Sequence, residues 1–113
     1  MNDCIFCRIA RGEVPTQKVA ENDHALAFRD IQPQAPTHVL VIPRDHVTSA
    51  AELDASHAAL LAAVFGLAAE VARAENLAEG RRLVTNIGNH GGQTIPHLHF
   101  HLLGGRKLQW PPG

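Results

Sequence analysis

The sequence predicts an α+β domain in which an antiparallel sheet of about five short strands carries one long helix, with a short helix ahead of them. Three observations predict it. Short apolar runs rich in β-branched residues alternate with prolines, glycines and Asn/Asp turn chemistry, and they are too short for helices. One alanine-rich stretch, 54–76, repeats apolar residues at helical spacing. The 113 residues, 45% of them apolar and spread along the chain, suffice for a single core, so 1–113 is read as one domain.

Each element follows from local chemistry. Residues 4–10 place Ile5, Phe6 and Ile9 at helical spacing and stop before Gly12, which predicts a short opening helix. Residues 18–21 and 24–29 read as a strand pair, with Glu21, Asn22 and Asp23 supplying the turn. Pro33 and Pro36 exclude regular structure until the strand at 38–42, which Pro43 ends. Asp54 is a good N-cap for the long helix, whose stripe is Leu60, Val64, Leu67, Ala68 and Val71. Residues 82–86 and 97–103 are the last two strands, joined by the glycine-containing loop 87–96.

Ten Lys and Arg against eleven Asp and Glu leave no cationic field for a nucleic-acid backbone, so any phosphate must be held locally. No signal-like N-terminal run and no stretch of the roughly 20 apolar residues a bilayer span needs are evident, so a cytoplasmic protein with no membrane partner is expected. Both cysteines fall in one C-x-x-C, Cys4 and Cys7. A disulfide there closes too small a loop to add much stability, and a thioredoxin-like pair wants a preceding strand, whereas only residues 1–3 come before it. A metal site is the better reading.

The chemistry concentrates in His97, His99 and His101. On a strand these alternate residues share one face, while Leu98, Phe100 and Leu102 point to the other, where the long helix covers them. A spacing of about 6.6 to 6.8 Å between alternate residues predicts rings that line a groove without touching. Neutral imidazole has a nitrogen lone pair at neutral pH and protonates readily, so one ring can attack while a neighbour donates. Two alternatives stay open: a merely solvated strand face, or metal ligands for a catalytic zinc hydrolase. Just upstream, 88–94 forms a glycine-rich loop whose backbone N–H groups can approach an anion, with Gln93 and Thr94 as side-chain donors, or which is simply a tight turn.

Taken together, Gly91-Gly92-Gln93-Thr94 and His97-Leu98-His99-Phe100-His101-Leu102-Leu103 resemble the signature of the histidine-triad (HIT) family. The resemblance runs nearly end to end, through Cys4-Ile5-Phe6-Cys7, Ala27-Phe28-Arg29-Asp30-Ile31, Pro33-Gln34-Ala35-Pro36-Thr37-His38, Val41-Ile42-Pro43 and Gly104-Gly105-Arg106. The ending Trp110-Pro111-Pro112-Gly113 resembles the Hint branch, the histidine-triad nucleotide-binding proteins.

What the resemblance implies is a nucleotidyl hydrolase or transferase acting on purine nucleotides. His99 matches the nucleophile, which forms a covalent nucleotidyl-histidine intermediate. His101 matches the residue that contacts the phosphate and leaving group, and His38 matches a buried histidine that supports the triad. Asp30 matches the carboxylate on the ribose hydroxyls, with Ile5, Phe6, Ile9, Phe28, Ile31 and Leu40 as walls of a base pocket. Asn86 and Thr94 match phosphate-side positions. Cys4, Cys7, His46 and His97 match the ligands of a structural zinc found in some members, and no organic cofactor is implied. The implied substrates are nucleoside phosphoramidates, AMP linked through nitrogen above all. A dinucleoside polyphosphate hydrolase and a non-catalytic nucleotide-binding module are the other readings. Hint-type proteins are homodimers whose tail reaches the partner's site, and Trp110 matches that tail. Pro96 departs from the branch's pattern, in which an aromatic is common, and this leaves the leaving-group preference open. His24, His57 and His90 match no role.

Overall fold

The chain's structure, a computed structural model, describes residues 4–113. Helix α1, Ile5–Ala10, begins where Cys4 caps it, the sulfur accepting from the Cys7 N–H at 3.4 Å. Strands β1 (Lys18–Glu21) and β2 (Ala25–Arg29) form the expected hairpin. Asn22 makes the turn, its Oδ1 accepting from the N–H groups of His24 at 3.0 Å and Ala25 at 2.8 Å. Strand β3 is Thr37–Pro43, helix α2 is Ala58–Ala74, β4 is Arg81–Val84 and β5 is Phe100–Gly104. The strands pair antiparallel throughout, in the order β1-β2-β3-β5-β4.

Three expectations need correction. Asp54 does not cap α2. It caps the 3-10 turn Ala55–His57 that precedes it, accepting from Ser56 N–H at 2.9 Å, and His57 Nδ1 returns the contact to Asp54 N–H at 3.1 Å, so His57 has a capping role after all. The strand expected over 97–103 starts only at Phe100. Continuing the β3–β5 register past Val41↔Phe100 would set Pro43 opposite Leu98, and Pro43 has no N–H for the ladder. Leu98 N–H bonds to the Val47 carbonyl at 2.6 Å instead. Finally, the helical run Ala55–Ala74 is long and apolar enough by length and composition to cross a membrane. Its apolar stripe is used otherwise, as the cover of the sheet.

That stripe, Leu60, Val64, Leu67, Ala68 and Val71, packs on Ala25, Ala27, Val39, Val41, Phe100 and Leu102 from the inner strands and on Leu98 just ahead of β5. Leu98 and Leu102 are each only 1% exposed, and such burial stabilises by about 1.5 to 3 kcal/mol per side chain. The alternate residues of the same strands, Leu26, Phe28, Leu40 and Ile42, face the opposite side and form a second cluster with Phe6 from α1. At the end of that second face stand His38 and His101, one on β3 and one on β5.

Candidate active site and metal cluster

The backbone of 97–99, though outside the ladder, is anchored at each residue. His97 N–H donates to the Ile95 carbonyl at 2.8 Å, Leu98 N–H to Val47, and the Thr85 hydroxyl to the His99 carbonyl at 2.7 Å. Strand β4, expected to reach Asn86, ends at Val84: the β4–β5 register would set Asn86 opposite His99, and the Thr85 hydroxyl takes the His99 carbonyl instead.

His99 Nδ1 lies 2.7 Å from the His97 carbonyl. A carbonyl can only accept, so the ring proton sits on Nδ1 and Nε2 keeps its lone pair. The residue is 6% exposed, with Phe6 edge-on at 5.1 Å between ring centroids. Among the described residues no enclosed side-chain nitrogen or oxygen lacks a partner, and Nε2 of His99 has none, so that atom reaches solvent. The His101 ring stands edge-on at 5.1 Å from His99, in contact and not apart as the strand spacing implied. Cα spacing does not set ring spacing, because the χ angles let two rings on one face lean together.

His101 Nδ1 is 2.9 Å from Nε2 of His38, and that nitrogen is 3.3 Å from the Asp30 carboxylate. The Gln34 N–H donates to His38 Nδ1 at 3.0 Å. Burial lowers the pKa of His38 against the opposing pull of Asp30. Burial also lowers that of His101, reinforced by His99 and His38.

Cys4, Cys7, His46 and His97 converge, their ligating atoms all within 4.8 Å of one another. Nδ1 of His97 is 3.3 Å from Cys4 Sγ, 3.5 Å from Cys7 Sγ and 3.2 Å from His46 Nδ1, and Cys7 Sγ is 3.3 Å from His46 Nδ1. Zinc–sulfur bonds near 2.3 Å and zinc–nitrogen bonds near 2.0 Å arranged tetrahedrally give donor–donor edges of about 3.3 to 3.8 Å. The cluster fits. His97 Nε2 donates to the Pro43 carbonyl at 3.0 Å, which leaves Nδ1 bare and aimed at the centre, as a metal ligand requires.

The other expected residues are dispersed around this core. His38, Asn86 and His101 line a groove of about 520 Å³, together with Arg82, Arg106 and the tail residue Pro111. Phe6 and Phe28 are each 4% exposed and Leu40 7%, so they are core, with Ile9 packed against the same cluster. Ile5 is 38% exposed and Ile31 93%. Trp110 is 82% exposed, on a tail that lines the chain's own groove. Thr94 is exposed.

The glycine loop closes as a tight turn, and several of its N–H groups are spent on that turn. The N–H groups of Gly91, Gly92 and Gln93 bond to the carbonyls of Gly88, Asn89 and Gly88, which turns them inward. The Gln93 side chain is occupied as well: Oε1 accepts from Gly88 N–H, and Nε2 donates to the Thr48 and Ile95 carbonyls. Gly91 is required there, since a Cβ would lie 2.4 Å from the Ile87 carbonyl oxygen. Sequence reasoning missed Thr85, Arg82, Arg106 and the Gln34 N–H. Arg106 carried a signal in Gly104-Gly105-Arg106, whereas Thr85 and a backbone group carried none.

The pattern of the HIT domain matches residues 11–108. A 14 kDa zinc-binding protein of Zea mays is 46% identical over 96% of this chain and 87% of its own length. An adenylylsulfatase, HINT1, of Arabidopsis thaliana is 46% identical over 96% of this chain and 76% of its own length. The crystal structure of a HIT family hydrolase from Legionella pneumophila Philadelphia 1 superposes with a TM-score of 0.95, at 49% identity over 98% of this chain and all of that one.

Proposed function

The chain belongs to the HIT domain family, and from that premise we propose that it is a purine-nucleotide hydrolase or transferase whose nucleophile is His99. The observation that carries this is the His99 ring: its proton is tied down at Nδ1 by the His97 carbonyl, and its lone pair at Nε2 reaches solvent beside His101.

In the first step the Nε2 lone pair forms an N–P bond. The bond from phosphorus to the leaving nitrogen or oxygen breaks, its electron pair departs on that atom, and the atom takes a proton from water. His99 keeps its Nδ1 proton and becomes cationic. Water then attacks phosphorus, the N–P pair returns to Nε2, and a proton passes to solvent, releasing the nucleoside monophosphate. His101 faces the phosphate, His38 supports it, and Asp30 takes the ribose hydroxyls. Ile5 and Ile31 flank the base over the buried Phe6 and Phe28, with Asn86 and Thr94 on the phosphate side. Gln93 serves by bracing the loop.

Nucleoside phosphoramidates, AMP joined through nitrogen, are the proposed substrates. The Arabidopsis relative's name supports an adenylyl group at such a site. Mixing the protein with an AMP phosphoramidate, an adenylyl sulfate and a dinucleoside polyphosphate tests the class. A phosphorus adduct at His99 with the phosphoramidate fastest is expected. An adduct elsewhere overturns the mechanism, and a faster polyphosphate overturns the substrate.

Cys4, Cys7, His46 and His97 hold a structural zinc in this reading, supported by their convergence and by the zinc-binding relative of Zea mays. When bound, the ion supplies a closed cross-link between α1, the loop after β3 and the residue whose carbonyl orients His99. Metal analysis of the purified protein should return about one zinc per chain, and none would remove the site. Thiolate ligands suit a reducing compartment such as the cytoplasm. A homodimer is part of the same proposal, supported by the exposed Trp110 beside the groove, and sedimentation at the 12.2 kDa monomer mass would count against it.

A further inference from the structure

Asp30, His38 and His101 bring one carboxylate oxygen and two ring nitrogens within 4.8 Å of one another, the outline of a second metal site. The protons argue against one. A backbone N–H can only donate, and that of Gln34 ends 3.0 Å from His38 Nδ1, so Nδ1 must offer its lone pair and the ring proton must sit on Nε2. That proton is shared between His101 Nδ1 at 2.9 Å and Asp30 at 3.3 Å. His101 therefore accepts at Nδ1 and carries its own proton on Nε2, at the other side of the ring. For His38 to ligate a metal through Nε2, its proton would have to move to Nδ1, head to head with the Gln34 N–H.

We propose that the Gln34 N–H sets the direction of this chain of rings, so that His101 presents a neutral Nε2–H to a phosphoryl oxygen as a hydrogen-bond donor and is not the acid for the leaving group. To give up that proton without becoming an anion, His101 would have to draw one from His38. His38 in turn could be refilled only at Nδ1, which the Gln34 N–H closes. The chain orients and does not conduct.

The groups that face His101 are His99 on its own segment, His38 on β3 and Asp30 just past β2, while Arg82 and Arg106 border the same groove. Asp30 alone favours a cationic ring, and burial with the two neighbouring rings outweighs it. The controlling N–H is itself held. The Gln34 carbonyl accepts from Arg106 at 3.0 Å, the Gln34 side chain donates to the Gln32 carbonyl at 3.0 Å, and Gln32 N–H donates to Asp30 at 2.8 Å. Gln34 and Arg106 are positioning residues acting through His38.

The role on a phosphoryl oxygen rests on the proposed function, but the ring polarity does not, and it can be read in the intact protein without nucleotide. Long-range proton–nitrogen correlation spectra of the imidazoles should show His38 and His101 protonated at Nε2 and bare at Nδ1 at neutral pH. Gln34→Ala keeps the N–H and should keep that pattern. Gln34→Pro deletes the N–H, so His38 should gain a population protonated at Nδ1, with kcat lower by roughly tenfold to a hundredfold and KM moved less. A proton on Nδ1 of either ring in the native protein overturns the proposal, as does a folded Gln34→Pro chain with unchanged tautomers. Should Gln34→Pro not fold, the native spectrum and that of Gln34→Ala decide. The expected tautomers with no turnover on any nucleotide would instead count against the proposed function.

Discussion

The two faces of the central sheet are built from the same strands by different rules. Val39 and Val41 of β3 and Phe100 and Leu102 of β5 point to α2, where hydrocarbon meets hydrocarbon and no atom needs a directed partner. His38 and His101 point to the other side, where each ring must be told which nitrogen carries its proton. Backbone groups do this: the His97 carbonyl for His99, the Pro43 carbonyl for His97, the Gln34 N–H for His38 and, through it, His101. One face is specified by volume, the other by direction.

If that division is right, substitutions on the site face should alter turnover more than stability, and those on the α2 face the reverse. The largest effect is expected from His99→Ala, which should cut turnover by on the order of 10⁴-fold or more. That is about 5.5 kcal/mol of barrier, with circular dichroism unchanged. Substantial residual activity would break the division at once. Next, Leu102→Ala removes a side chain 1% exposed under α2 and should lower unfolding stability by about 2 to 5 kcal/mol in denaturant titration. Nucleotide binding by the molecules still folded should be little changed.

A smaller effect sharpens the boundary. Thr85→Val deletes the hydroxyl on the His99 carbonyl while keeping the shape, and should cost about 1 kcal/mol of stability with a clear drop in kcat. A fall in stability with kcat untouched would make Thr85 a packing residue only. The smallest effect is on pH dependence. His38 and His101 have pKa values lowered in the folded chain, chiefly by burial, so the unfolded chain takes up protons first on acidification. Their contribution is complete above the ordinary histidine value near 6.5 and declines as pH falls below it. Melting temperature should drop on acidification through that window, and His38→Phe should flatten the slope. An equally steep slope in that variant would place the titration elsewhere.

Much of the fold was legible because period and punctuation are local. The alternation in 97–103 correctly assigned Leu98, Phe100 and Leu102 to the helix side. The stripe from Leu60 to Val71 marked α2. The Cys and His ligand set came through family resemblance, and the chain does bring those donors together. Failures fell where a partner distant in sequence decides. Phe100 starts β5 because Pro43, which the continued β3–β5 register sets opposite Leu98, has no N–H for the ladder.

The amino-acid order by itself determined which residues are apolar, which are imidazoles and which share a face, since these follow from side-chain type and backbone period. Only the tertiary structure decided where each proton sits. A ring nitrogen becomes nucleophile, ligand or donor according to the carbonyl or N–H it meets, and those partners arrive from other strands and loops: Pro43 for His97 and Gln34 for His38. Direction in a hydrogen bond is a property of the pair, and only the fold makes the pair.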